Sequence, residues 1–489
     1  MGRTVVIGLD GIDWKLLQEF VDEGVTPNIA EVYESGFNGD LRSIDPPVSV
    51  PAWISFFTGK EPDKLDLYYF MVKEEGGNEI DRDHRLGEHN PDAFWNRLED
   101  AGVIGVPSSV PTEDLDGFLV SGPFAPHESS EEVQGLVEEF DYDPYLPNMW
   151  QFKKSLKKLR NEADFADAVL DEKDPEFFMF TTSVTDRLQH SFWDDEEKME
   201  ELYREVDNFV GRVLDHFDPE EDNVFIVSDH GFEDLEKNFY LNSWLRDEGY
   251  LTLNQGDEGS AGREDLRYAV KRFSKDVLSR LGLLEIALDV VPQRVRSQVQ
   301  FSDEIWDKID FSNTQAFAAS NYVGEIYVNK EEYEGGCVPE EEFDEVRDEI
   351  IEKLKQVEDP ETGEKVVEEI WRGEEIYERY DDKSPDILFY TKDMKYKVKH
   401  DLHGRVFDES VPNGSHGLNG VILGRGPDIE NGEFDMHLTD VAPTLLHLMG
   451  EDVPEDMDGE VPKEIFVEGS EPDRREVRKV SEELEDLDF

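Results

Sequence analysis

Seven residues in this chain have the types and surroundings to do chemistry together. Asp10 follows the apolar run VVIGL, in GLDG. Asp186 and His190 follow FFMFTT, in TDRLQH, and their i, i+4 spacing puts both on one face of a helical turn, a suitable bite for a metal ion. Asp229 and His230 follow NVFIVS in SDHGF, where the glycine allows close backbone approach. His416 stands in GSHGLNG, just before GVILG. Ser49 lies in PPVSVPAW, where prolines on both sides stiffen the backbone and set one hydroxyl at a bend. Each has a plainer reading: a turn carboxylate for Asp10, a helix cap and an unrelated imidazole for Asp186 and His190, a loop hydroxyl for Ser49. His400 and His403 are further candidates for the place of His416, but no strand begins beside them. Taken together, three Asp and three His could fill two sites of mixed nitrogen and oxygen ligands. That donor set suits two divalent metal ions, zinc first and manganese as the alternative. Two such ions beside a serine suit phosphoryl transfer, one activating the nucleophile and the other stabilising the leaving oxygen.

These side chains need a scaffold that brings distant segments together. Short apolar runs at 5–9, 103–106, 118–122, 177–182, 223–228, 386–390 and 420–424 predict buried strands. The stretches 193–217 and 340–356 have helical spacing. Buried strands alternating with helices predict an α/β fold, a mostly parallel central sheet flanked by helices on both faces. Asp10, Asp186 and Asp229 then sit past strand ends, where such folds put their ligands. If Ser49 is the N-cap of a helix over WISFF, Pro51 falls in its first turn and free N–H groups point at an anion. The predicted organisation is a catalytic core over 1–250, an inserted cap or substrate region over 251–380, the rest of the core over 381–465, and an acidic tail over 466–489. The cap holds an amphipathic stretch (268–291), a polar loop (254–264) and acidic helical pieces.

Composition narrows the function classes. The 489 residues carry 118 Asp and Glu against 49 Lys and Arg, a net charge of −69. At molar salt the Debye length falls to about 3 Å and self-repulsion is largely screened. The expected setting is a salt-rich cytoplasm. The same charge argues against nucleic-acid binding as the main function, since a phosphate backbone needs a basic footprint. The single cysteine, Cys337, permits no intrachain disulfide and reads as a small residue in a GGC turn. No run approaches the length of a transmembrane segment. The basic run 152-FKKSLKKLR-160 reads as an amphipathic helix, with an anchor for an anionic substrate tail as its functional alternative. The stretch 271–291 reads as cap packing, with a membrane-surface contact as the alternative. There is no P-loop or dinucleotide fingerprint.

The ordered set GLDG, PPVSVPAWISFFTG, TDRLQH, SDHG, SHG and 439-TDVAPTLLHLMG-450 resembles the alkaline phosphatase superfamily. Within it the set looks most like the type I phosphodiesterase/nucleotide pyrophosphatase branch, and also like a prokaryotic group of predicted phosphohydrolases or phosphomutases. The resemblance runs from residue 4 to about 465. It implies an alkaline phosphatase-like fold, with Asp10, Asp229 and His230 holding one metal and Asp186, His190 and His416 the other. It puts Ser49 at the position of the nucleophile, usually Thr in that branch. Ser49 would attack phosphorus in line, form a phosphoseryl enzyme and release product with net retention. The substrate would be a small-molecule phosphate ester, cleaved at a phosphodiester or pyrophosphate bond. A phosphomonoesterase or phosphomutase is the alternative within the superfamily, and a catalytically silent metal-binding protein the alternative outside enzymes. After the nucleophile, the branch's HGI reads LDL in TGKEPDKLDLYYF, with no Asn to hold the phosphate oxygens. Trp53, where sulfatases carry Arg, weighs against a sulfatase.

Overall fold

The computed structural model describes residues 2–69, 72–73, 80–81, 92–111, 115–254, 303–409 and 414–481. The amphipathic stretch 268–291 and nearly all of the loop 254–264 lie outside the described residues. The chain forms two compact units, one of Met1–Phe70, Asp83–Glu233 and Gly414–Phe489, the other of Met71–Arg82 and Asp234–Asn413.

The elements that matter for the first unit are, in chain order, β1 (Thr4–Leu9), α1 (Trp14–Asp22), α2 (Pro27–Ser35), β2 (Phe37–Arg42), α3 (Ser49–Thr58), β3 (Ala101–Ile104), β4 (Gly117–Val120), α4 (Phe152–Lys173), β5 (Phe177–Thr182), α5 (Val184–Phe192), α6 (Glu196–Leu214), β6 (Asn223–Val227), β7 (Gly231–Asp234), β8 (Gly414–Gly417) and β9 (Asn419–Arg425). The central sheet has the order β2-β9-β6-β1-β5-β3-β4, with the short edge strand Gly432–Glu433 outside β2. β1 runs parallel to β5 and β6. β3 runs parallel to β5 and β4. β1, β5 and β6 are buried at every position, so both faces are covered and their sequences read as unbroken apolar runs. On α4 the apolar stripe Phe152, Leu156 and Leu159 is buried, as an amphipathic helix requires.

β9 departs from the parallel pattern. It pairs antiparallel with both β2 and β6. It therefore starts at the edge where β1, β5 and β6 end, which brings His416 to that edge although it precedes its strand. β2, absent from the predicted strands, is FNGDLR, alternating buried and half-buried positions. Its polar alternation hides it from a search for apolar runs. The run 386–390 is a strand, Ile387–Thr391, but it belongs to the second unit. There it pairs antiparallel with Gly324–Val328 and Val367–Arg372. A short apolar run does not disclose which sheet it joins.

The second unit also holds a three-stranded sheet of Tyr396–Lys399, Lys237–Tyr240 and Phe407–Glu409, and the helix Glu340–Leu354. His400 and His403 are buried in this unit. Cys337 is half-buried and its thiol meets the Thr314 carbonyl at 3.1 Å. Within the charged C-terminal stretch, Glu471–Arg474 forms one helical turn and Lys479–Val480 pairs with Val453–Pro454. Among the described residues, no helix is long and apolar enough to cross a membrane.

Candidate metal centre

The carboxyl ends of β1, β5 and β6 lie side by side, and each hands the chain to a site residue. Asp10 follows β1, Asp186 sits in the first turn of α5 after β5, and Asp229 and His230 follow β6. β2 ends at the same edge, and its loop leads to Ser49 at the start of α3. The structure thus gathers all seven predicted residues at one edge of the sheet.

Ser49 is not the N-cap of α3. Val48 takes that place, and Ser49 is the first helical residue. Pro51 is then third, still where a backbone N–H has no helical partner. All ten residues of α3 are buried. The Ser49 hydroxyl lies 3.1 Å from His230 Nε2.

The three imidazoles share one device. His230 Nδ1 lies 2.9 Å from the Gly231 carbonyl, His416 Nδ1 2.8 Å from the Pro47 carbonyl, and His190 Nδ1 3.2 Å from the Gly414 carbonyl. A carbonyl can only accept, so each Nδ1 donates, and each Nε2 is turned toward the site. The Nε2 atoms converge. His190 Nε2 and His416 Nε2 are 3.2 Å apart, and the rings of His230 and His416 stack at 3.8 Å. Asp186 Oδ1 lies 3.2 Å from His190 Nε2 and 3.4 Å from His416 Nε2. His230 Nε2 is 3.6 Å from Asp10 Oδ1 and 3.5 Å from Asp229 Oδ2.

This arrangement is electrostatically incomplete on its own. Among the described residues, no hydrogen-bond donor meets the buried oxygens Asp10 Oδ1, Asp186 Oδ1 and Asp229 Oδ2. Burial and the charge of Asp186 push Asp10 up to about 8. Burial and the charges of Asp10 and Asp186 push Asp229 well above the usual carboxylate range. Burial also works to raise Asp186, but His190 and His416 beside it hold its carboxyl well below that range. Burial and His416 hold His230 well below the ordinary imidazole value, hence neutral. Carboxylates facing imidazole Nε2 atoms, with no lysine or arginine among their ion-pair partners in the described residues, have the chemistry of a divalent-cation site. Two groups bring ligand atoms within 4.8 Å of one another: Asp10, Asp229 and His230, and Asp186, His230 and His416. His230 belongs to both, and His190 adjoins the second.

Sequence reasoning overlooked several supporting residues. The carbonyl of Pro47 orients His416. Gly11 has φ +70°, donates its N–H to Asp229 Oδ1 at 3.2 Å, and leaves space that a Cβ would take 3.2 Å from both Asp186 Cβ and His230 Cε1. The Ser228 hydroxyl donates to the His230 carbonyl at 2.7 Å and accepts from Ile12 N–H at 2.8 Å. Only Gly11 carried a local signal, as the glycine following a strand-end carboxylate.

A profile of the family described as type I phosphodiesterase / nucleotide pyrophosphatase matches residues 4–419. No curated protein matches the chain. Among solved structures, murine ectonucleotide pyrophosphatase / phosphodiesterase 5, an inactive variant in complex with AMP, is similar with a TM-score of 0.55 and 14% identity, covering 96% of this chain and 100% of that one. At that identity the likeness is one of fold, alkaline phosphatase-like with a central, mostly parallel sheet. By the match across residues 4–419, the chain belongs to the type I phosphodiesterase / nucleotide pyrophosphatase family.

Proposed function

We propose that this chain is a two-metal phosphohydrolase that cleaves phosphodiester or pyrophosphate bonds through a covalent phosphoseryl intermediate on Ser49. The observation that carries the reading is the convergence of the three histidine Nε2 atoms and three carboxylates, two of them buried and that of Asp186 half-buried, beside one serine hydroxyl, 3.1 Å from His230 Nε2. Asp10, Asp229 and His230 would hold one ion, and Asp186, His190 and His416 the other. Two divalent ions, zinc first and manganese second, would lower the serine hydroxyl pKa and neutralise charge on the phosphoryl oxygens.

The chain's own residues supply the rest. The backbone carbonyls of Pro47, Gly231 and Gly414 fix the histidine tautomers, so no ring has to reorient during the reaction. The first turn of α3 presents the N–H groups of Ser49 and Val50 where an anion would sit. Ser49 Oγ forms a bond to phosphorus as the bond to the leaving oxygen breaks, and the leaving group departs with the electron pair. Water then attacks the phosphoseryl phosphorus, Ser49 Oγ leaves, and the two inversions give net retention.

The test is turnover of bis-p-nitrophenyl phosphate against p-nitrophenyl phosphate, with zinc or manganese, for the unmodified chain and Ser49→Ala. Diester turnover should exceed monoester turnover, and Ser49→Ala should lower it by roughly 10³-fold or more. A Ser49→Ala protein that turns over normally removes the nucleophile assignment.

A further inference from the structure

Arg187 differs from most of the described arginines. In so acidic a chain, arginines find carboxylates: Arg3, Arg160, Arg212, Arg347, Arg372 and Arg425 each hold one. The guanidinium of Arg187 has no carboxylate, acceptor or ring partner among the described residues, and its Nε is buried with no hydrogen bond. Four residues on, the Ser191 hydroxyl oxygen is likewise buried without a partner among the described residues. A buried N–H with no acceptor is costly unless a ligand supplies one.

The placement of the pair says what that ligand would be. On α5 the residues Thr185, Leu188 and Gln189 face inward: Thr185 Oγ1 donates to the Asp10 carbonyl, Gln189 donates to the Gly11 carbonyl, and Tyr203 donates to Gln189 at 2.8 Å. Asp186 and His190 face the metal centre. Arg187 lies about 100° round the helix from Asp186 and about 60° from His190, on the side away from the inward stripe. Ser191 follows Arg187 at i+4 on that same outer side. Arg187 and Ser191 therefore border the centre rather than enter it. A guanidinium offers paired N–H donors matched to oxyanions, and among the described residues no carboxylate pairs with this one.

We propose that Arg187 and Ser191 form an oxyanion subsite beside the metal centre, which takes a second anionic group of the substrate, phosphoryl or carboxylate, next to the scissile phosphate. The inference rests on the phosphohydrolase reading of the centre and names the substrates it favours: those that carry a second negative group adjacent to the bond cleaved.

The test is calorimetric binding of orthophosphate, pyrophosphate and phosphoglycolate to the full chain at fixed free zinc, for the unmodified protein, Arg187→Ala and Ser191→Ala. Arg187→Ala should raise the Kd of pyrophosphate or phosphoglycolate at least tenfold more than that of orthophosphate. Whichever of the two shows the larger shift identifies the second group as phosphoryl or carboxylate. Ser191→Ala should shift the same ligand in the same direction by a smaller factor. If Arg187→Ala does not fold, Arg187→Met keeps the apolar stem and should give the same differential. A smaller differential, whether all three ligands weaken equally or none does, overturns the subsite. Bis-p-nitrophenyl phosphate turnover by the unmodified chain separates the two readings. No turnover with the differential intact removes the hydrolase and keeps the subsite, and turnover without the differential does the reverse.

Discussion

Asp10, Asp186 and Asp229 are three carboxylates packed within reach of three imidazole Nε2 atoms, and the roles of single side chains follow from that crowding. Removing one carboxylate removes a ligand and also lowers the repulsion among the others, so apo-protein stability and metal content should respond in opposite directions. Asp229→Ala should lose bound metal and activity together, by metal analysis and diester turnover, while its metal-free form melts no lower than the unmodified apo protein. Full metal occupancy in that variant would sink the ligand role of Asp229. Gly11→Ala should act differently. Its φ of +70° and the 3.2 Å approach to Asp186 and His230 make any Cβ strained, at a cost of about 1–3 kcal/mol. It should lower the melting temperature and weaken metal binding with every ligand side chain still present, and an unchanged melt would contradict that.

The strands and helices that carry these residues differ in how plainly the sequence announced them. β1, β5 and β6 were legible because burial on both faces forces an unbroken apolar run, and the carboxylate after each run stood out against it. β2 was hidden by its alternation, yet its C-terminal end sets the start of the Ser49 loop. The antiparallel course of β9 could not be read from GVILG, although it is what brings His416 to the right edge. Nor could the double membership of His230, a matter of ring stacking between segments 186 positions apart. Arg187 was in plain view within TDRLQH, but only the missing partner marks it, and partners are spatial. In the second unit, Glu325 on the strand Gly324–Val328 offers an independent check on the strand assignments. It is fully buried, and burial, only partly offset by the Ser320 hydroxyl, pushes its pKa up to about 8. The folded state thus binds the Glu325 proton more tightly than the unfolded chain does. Its stability contribution is fully present below the unfolded value near 4.5 and is lost as pH rises through about 8. Glu325→Gln should therefore melt higher than the unmodified chain above that pH and differ little from it in mild acid. Identical pH profiles for the two proteins would place Glu325 in water.

The net charge of −69 governs the molecule as a whole. Its effect is visible where carboxylates crowd one another. Burial and then Asp458, Asp45 and Asp63 push Glu61 up to about 7. Burial and Asp435 raise Asp40, and burial with Asp452 and Glu99 raises Glu451. Repulsion of this kind is relieved when the Debye length shrinks to a few ångströms, about 3 Å at 1 M salt. The melting temperature should therefore climb steeply from dilute buffer to molar potassium chloride, measured by circular dichroism. A flat or falling curve would remove the inference of a salt-rich setting. Substrate assays belong at the salt concentration where that curve levels off.

The most direct test of the phosphoseryl mechanism is rapid acid quench of the metal-loaded chain during bis-p-nitrophenyl phosphate turnover, followed by peptide mass mapping. The expected result is a phosphoryl ester on the peptide that carries Ser49, absent in Ser49→Ala. Steady turnover with Ser49 unmodified at every quench time, or with the ester on another residue, would contradict it.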